Sequence, residues 1–153
     1  MTAPRLLRGL RGATTCADNS ADAIREAVAE LVDALMDQNA LDPEQLVSVT
    51  FSVTSDLDAS FPAAAARHRS GWEDVALLDV QQMVVQGDLA RCIRLLAHAW
   101  IPADRQLHHP YLRGAARLRP DGEPQSCART DLVTTDRSGA DPRSTCIREI
   151  LRT

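Results

Sequence analysis

The spacing of apolar residues changes abruptly near residue 40, and that change constrains the fold more than any other feature of the chain. Ile24, Ala27, Val28, Leu31, Val32 and Leu35 form one stripe at helical spacing. Asn19 and Ser20 offer caps ahead of it, and Asp22 and Glu26 sit in the first turns, where the helix dipole favours negative charge. The stripe ends near Asn39. Soon after, Val47, Val49, Phe51 and Val53 alternate with Ser48, Thr50, Ser52 and Thr54, the pattern of a strand with one buried face. Between them, Asp42-Pro43-Glu44 predicts a short helix with proline at its first position.

Ser60 is placed to cap a helix containing Ala63 to Arg69, which Ser70-Gly71 breaks. Val75-Ala76-Leu77-Leu78 reads as a compact apolar strand. Gly87-Asp88 marks a turn before a further strand from Cys92 to Ala99, and Pro102-Ala103-Asp104 opens a last helix that Pro110 should stop. Helices and strands mix without a regular βαβ repeat, so the expected class is α+β. After Asp121 the chain turns to Gly, Pro, Ser, Thr, Asp and Arg with little apolar periodicity. The expected organisation is a domain over residues 1–121 and a disordered tail over 122–153.

Aromatic residues are only 3% of the 153, so the core must be built from Ala, Val, Leu and Ile. All 17 basic residues are arginine. A GC-rich coding bias accounts for that, and so does a need for the planar fork that grips carboxylates or phosphates; composition alone does not separate them. A net charge of −4 argues against a nucleic-acid partner. No apolar run is long enough for a membrane span, and Met1 to Leu10 lacks the apolar stretch of a signal peptide. Cys16, Cys92, Cys127 and Cys146 match no zinc spacing and read as reduced thiols, which points to the cytoplasm. His98, His108 and His109 lack metal-ligand spacing as well, since adjacent residues point apart on a helix; no metal or other cofactor is expected.

A set of short strings carries more information than any of these. Arg8-Gly9-Leu10-Arg11-Gly12-Ala13-Thr14-Thr15 is followed by Asp56-Leu57, Phe61-Pro62-Ala63, Arg67, Ser70-Gly71-Trp72, Cys92-Ile93-Arg94, Tyr111-Leu112 and Leu118-Arg119-Pro120-Asp121. In this order and spacing, over roughly residues 6–121, the chain resembles the AroH-class chorismate mutases. The resemblance implies a mixed sheet with helices packed on one side, and a homotrimer whose sheets form a barrel-like core. It also implies active sites between subunits and rearrangement of chorismate to prephenate without a cofactor.

Chorismate is a dianion, and its rearrangement builds negative charge on an ether oxygen while no proton has to move. Fixed charges and a held conformer are therefore the means of catalysis. The resemblance gives Arg94 the place at the ether oxygen and Arg11 a place near the carboxylate. In the run Cys92-Ile93-Arg94-Leu95-Leu96, Arg94 is also the one charge in an apolar strand, costly unless paired. Tyr111 matches a carboxylate-contacting hydroxyl. Phe61, Ala63, Met83 and Leu118 match the walls, and Arg67 and Arg119 match cations at the mouth. Ala64 stands where a mouth lysine is common, and the interval from Arg94 to Tyr111 is one residue short.

The largest departure is Gln82, where the family has a glutamate that accepts from the substrate hydroxyl and pairs with the arginine matched by Arg94. Three residues earlier, Asp79 either supplies the displaced carboxylate, in an Asp79–Arg94–Gln82 arrangement, or is a strand-end residue in solvent. These departures keep two rivals open: a divergent member serving another small carboxylated substrate, and a non-catalytic trimeric binding protein.

Overall fold

The computed structural model describes residues 3–120. The tail assigned to 122–153 lies outside the described residues, as do Cys127 and Cys146.

The helical stripe becomes α1, Ala21–Gln38, with the Ser20 hydroxyl accepting from the Ala23 N–H. It buries Ile24, Ala27, Val28, Leu31, Val32 and Leu35 almost completely. The alternating segment becomes β2, Leu46–Val53. Its partners are β4, Cys92–Pro102, antiparallel, and β3, Ala76–Gln81, parallel, while β1, Arg5–Thr15, pairs with the other side of β4. The sheet is thus mixed, in the order β1-β4-β2-β3. On its helix side Leu10, Val49, Phe51, Ile93, Leu95, Ala97, Ala99 and Ile101 are buried with the α1 stripe and Trp72 in one core.

Three sequence expectations change. The last helix at Pro102 does not form. β4 runs on to Pro102, opposite Arg5, and a turn closed by the Arg105 N–H on the Pro102 carbonyl leads into extended chain. Asp104, inside this turn, suits a turn as well as the first turn of a helix. Second, β1 is a full eleven-residue strand that no alternation announced. Gly9 and Gly12 blur the pattern, and pairing with the apolar β4 decides it. Third, the helix α2 spans Pro62–Arg67 with Phe61, not Ser60, at its cap position. The Asp42 helix is a single 3-10 turn, Pro43–Gln45.

Two polar devices hold the segment that carries Tyr111 against the sheet. Asn39, buried just beyond α1, donates to the carbonyls of Leu35 and His108 and accepts from the His108 N–H, at 2.8–2.9 Å. The chain from His109 to Leu112 then lies along β1: Ala13 donates to the Pro110 carbonyl and accepts from the Leu112 N–H. Gly12 allows this closeness, because a Cβ there would come within 3.1 Å of both the Pro110 oxygen and Leu31.

Candidate active site

The strand registers define rows across the sheet face that the helices leave open. One row runs Tyr111, Ala13, Arg94, Ser52, Val80, and the next runs Arg11, Leu96, Thr50, Leu78. Small residues at Ala13 and Ser52 flank the long Arg94 and leave space beside it. The result is a groove of about 490 Å³ lined by Arg11, Arg94, Tyr111, Leu118 and Arg119 together with Ala13, Thr50, Ser52 and Leu96. That volume suits a small molecule.

The groove is strongly electropositive. Arg11 and Arg119 form no ion pair among the described residues, and the Arg119 guanidinium lies over the Tyr111 ring, 5.7 Å from its centroid. The Arg11 N–H donates to His109 Nδ1 at 3.1 Å. Burial holds His109 below the usual histidine pKa, with Arg11 and Arg119 adding to the effect, so the ring is neutral and able to accept.

Arg94 has one carboxylate within ion-pair distance among the described residues, and it is Asp88: Arg94 Nη2 donates to Asp88 Oδ1 at 2.9 Å. Gln82 Nε2 donates to the other oxygen of the same carboxylate. The Cys92 thiol is on the same side of β4 two residues back; burial pushes it above its usual pKa, so it brings no charge. Nothing in the sequence singled out Asp88. A Gly-Asp pair reads as a turn, and a turn it is, with Gly87 at φ 80° and the Asp88 N–H on the Val85 carbonyl.

The Asp79–Arg94–Gln82 arrangement does not form within the chain. Asp79 is level with Phe51, whose side chain is in the core, so it projects to the helix side of the sheet; Arg94 is level with Ser52 on the open side. Asp79 Oδ1 instead accepts from the Ala63 N–H at 3.0 Å, giving α2 the cap that Phe61 lacks. Burial raises the Asp79 pKa against the lowering effects of that hydrogen bond and of Arg67. Phe61, Ala63, Arg67 and Asp79 therefore gather around α2 and β3. Phe61 is 71% exposed and Met83, just past β3, is 80% exposed. None of these five lines the groove. With the interval from Arg94 one residue short, Tyr111 still reaches the groove.

The model of the chorismate mutase type I family matches residues 7–122. The chain belongs to that family. It is 43% identical to the chorismate mutase AroH of Thermus thermophilus over 122 residues, covering 77% of this chain and 98% of the relative. To the AroH of Bacillus subtilis (strain 168) it is 38% identical over 118 residues, covering 76% and 92%. A solved chorismate mutase from Clostridium thermocellum superposes with a TM-score of 0.67 at 39% identity, covering 72% of this chain and 98% of that one. Membership extends over the described domain and accounts for a sheet with both helices on one face.

Proposed function

We propose that this protein is a cytoplasmic chorismate mutase that rearranges chorismate to prephenate, without a cofactor, at sites between the subunits of a homotrimer. The observation that carries the reading is the groove itself: three arginines and a tyrosine converge with apolar walls, in a chain of this family. A dianion meets there the bidentate forks that bind carboxylates and keep their charge. Arg11, Arg119 and the Tyr111 hydroxyl hold the carboxylates and so select the compact conformer. Arg94 faces the ether oxygen as negative charge builds on it, and Leu118 and Leu96 exclude water. No proton transfer is asked of any residue.

The trimer is supported by what the open face exposes. Leu7, Leu78, Val80, Leu96 and Trp100 are all more than a third exposed, a surface that a lone sheet leaves uncovered. The division of the matched residues supports it too. β3 and β1 stand at opposite ends of the sheet, three strand spacings or about 14 Å apart. Phe61, Ala63, Arg67 and Met83 of one subunit then complete the groove of the next, while Asp79 stays on the helix side as the cap of α2. Free Cys16 and Cys92 suit a reducing compartment, and no described helix is long and apolar enough to cross a membrane.

Purified protein mixed with chorismate should remove its ultraviolet absorbance and form prephenate far faster than the uncatalysed reaction, at a light-scattering mass near three 16.7 kDa chains. Binding without turnover would refute the mutase reading. A neutral Gln82 where the family has a carboxylate favours one alternative, a divergent member acting on another small dicarboxylate, and substrate competition in the same assay distinguishes it.

A further inference from the structure

Asp88 gathers three donors onto one carboxylate. Oδ1 accepts from Arg94 Nη2 at 2.9 Å and from the Leu89 N–H at 2.8 Å, and Oδ2 accepts from Gln82 Nε2. Its side chain is 21% exposed, so these bonds are only partly screened by solvent. The geometry of the 85–88 turn aims it: Gly87 takes the positive φ that the turn requires, and the Asp88 N–H closes on Val85. An ionised carboxylate only accepts hydrogen bonds, so it dictates which way the Gln82 amide lies. Nε2 must face Asp88, and Oε1 is left without a hydrogen-bond partner among the described residues. Arg94 Nε is likewise buried without a partner among the described residues, and the guanidinium's ion pair there runs through Nη2.

We propose that Asp88 is the positioning residue of this site. It fixes the Arg94 fork for the reacting molecule, and it holds the Gln82 amide beside Arg94 with Nε2 on its own carboxylate. Asp88 thereby returns to the site, from a loop, the negative charge that Gln82 does not carry. This rests on the reading of the groove as a chorismate site. It adds that the acid serving Arg94 is at position 88 and acts through Arg94 and Gln82 without touching substrate.

The test is a carboxylate exchange in the full chain. Asp88→Asn keeps the size of the side chain and an acceptor for Leu89, but removes the charge and lets the Gln82 amide invert. It should lower kcat on chorismate about 10²-fold. KM should not rise, because a negative charge near the dianion has gone; a collapsed pocket would raise it. Gln82→Glu alone sets two carboxylates against each other and should also be slow. The double variant Asp88→Asn/Gln82→Glu restores one carboxylate beside Arg94 and should recover most of the lost kcat, a non-additivity that independent sites do not show. An Asp88→Asn enzyme within twofold of wild-type kcat overturns the proposal, as does a double variant no faster than Asp88→Asn.

A second readout does not depend on turnover. The Arg94 Nε–H resonance in a ¹⁵N correlation spectrum, assigned through its loss in Arg94→Lys, should be sharp in wild type and in the double variant and broadened in Asp88→Asn. If wild type leaves chorismate untouched, the mutase reading fails and this resonance still decides whether Asp88 holds Arg94. A resonance unchanged by Asp88→Asn overturns the positioning role whatever the substrate.

Discussion

The same four strands present two faces with different physics. On the helix side, Leu10, Phe51, Ile93, Ala97 and Ile101 are fully buried and pack against α1. On the open side, at the alternate positions of the same strands, stand Arg11, Arg94, Thr50, Ser52, His98 and the exposed Leu96 and Trp100. Alternation along a strand therefore divides the labour residue by residue: one set makes the fold stable and the other makes a charged surface with room for a ligand. A substitution on the helix side should be read out almost wholly in stability, and one at the groove arginines of the other almost wholly in activity.

The largest break in that symmetry should come from the helix side. Leu31→Ala removes a fully buried side chain of α1 and should cost about 2–5 kcal/mol in denaturant unfolding. The fraction that remains folded should keep its kcat; a proportionate loss of turnover per folded molecule would mean that the faces are not separable. Next is Arg94→Ala, which should lower kcat by about 10²–10³-fold with little change in unfolding midpoint. Arg94→Lys should not rescue it, since an ammonium lacks the second arm of the fork. A large drop in stability would assign Arg94 to the core instead.

The smallest effect sharpens the boundary between the faces, where His109 accepts from the Arg11 N–H. Its folded pKa lies below the ordinary histidine value near 6.5, so the unfolded chain binds the proton more readily. Stability should be complete above about pH 6.5 and should fall as pH drops below it through the folded value. Melting temperatures at pH 7.5 and 5.5 should therefore differ more for wild type than for His109→Asn. Equal differences in the two proteins would remove the neutral-histidine account.

Much of the helix side is legible in the sequence, because α1 and β2 carry clean periods that local burial enforces. β1 is not, since Arg5, Arg8, Gly9, Arg11 and Gly12 spoil any alternation and only the pairing with β4 makes it a strand. The chain from Pro102 to Pro110 reads as a helix because Pro102 and its one acidic residue, Asp104, suit a helix start as well as a turn. Among the site residues, Arg11, Arg94, Tyr111, Leu118 and Arg119 line one groove. Asp79 falls to Arg94 by its sequence distance from Gln82, but the pleat sends it to the opposite face. Asp88 escapes a sequence reading because its role depends on where a glycine turn points a carboxylate, which no residue pattern records.

Asn39 has a consequence beyond holding two segments together. Its side chain satisfies the end of α1 and both polar groups of the His108 peptide unit at once, out of reach of water. Opening either segment would strand buried donors and acceptors in the other, so the helix terminus and the loop that carries Tyr111 open as one cooperative unit. Fraying of α1 is then felt in the groove as a loss of Tyr111. Ligand affinity should therefore fade at or below the temperature at which the sheet itself melts.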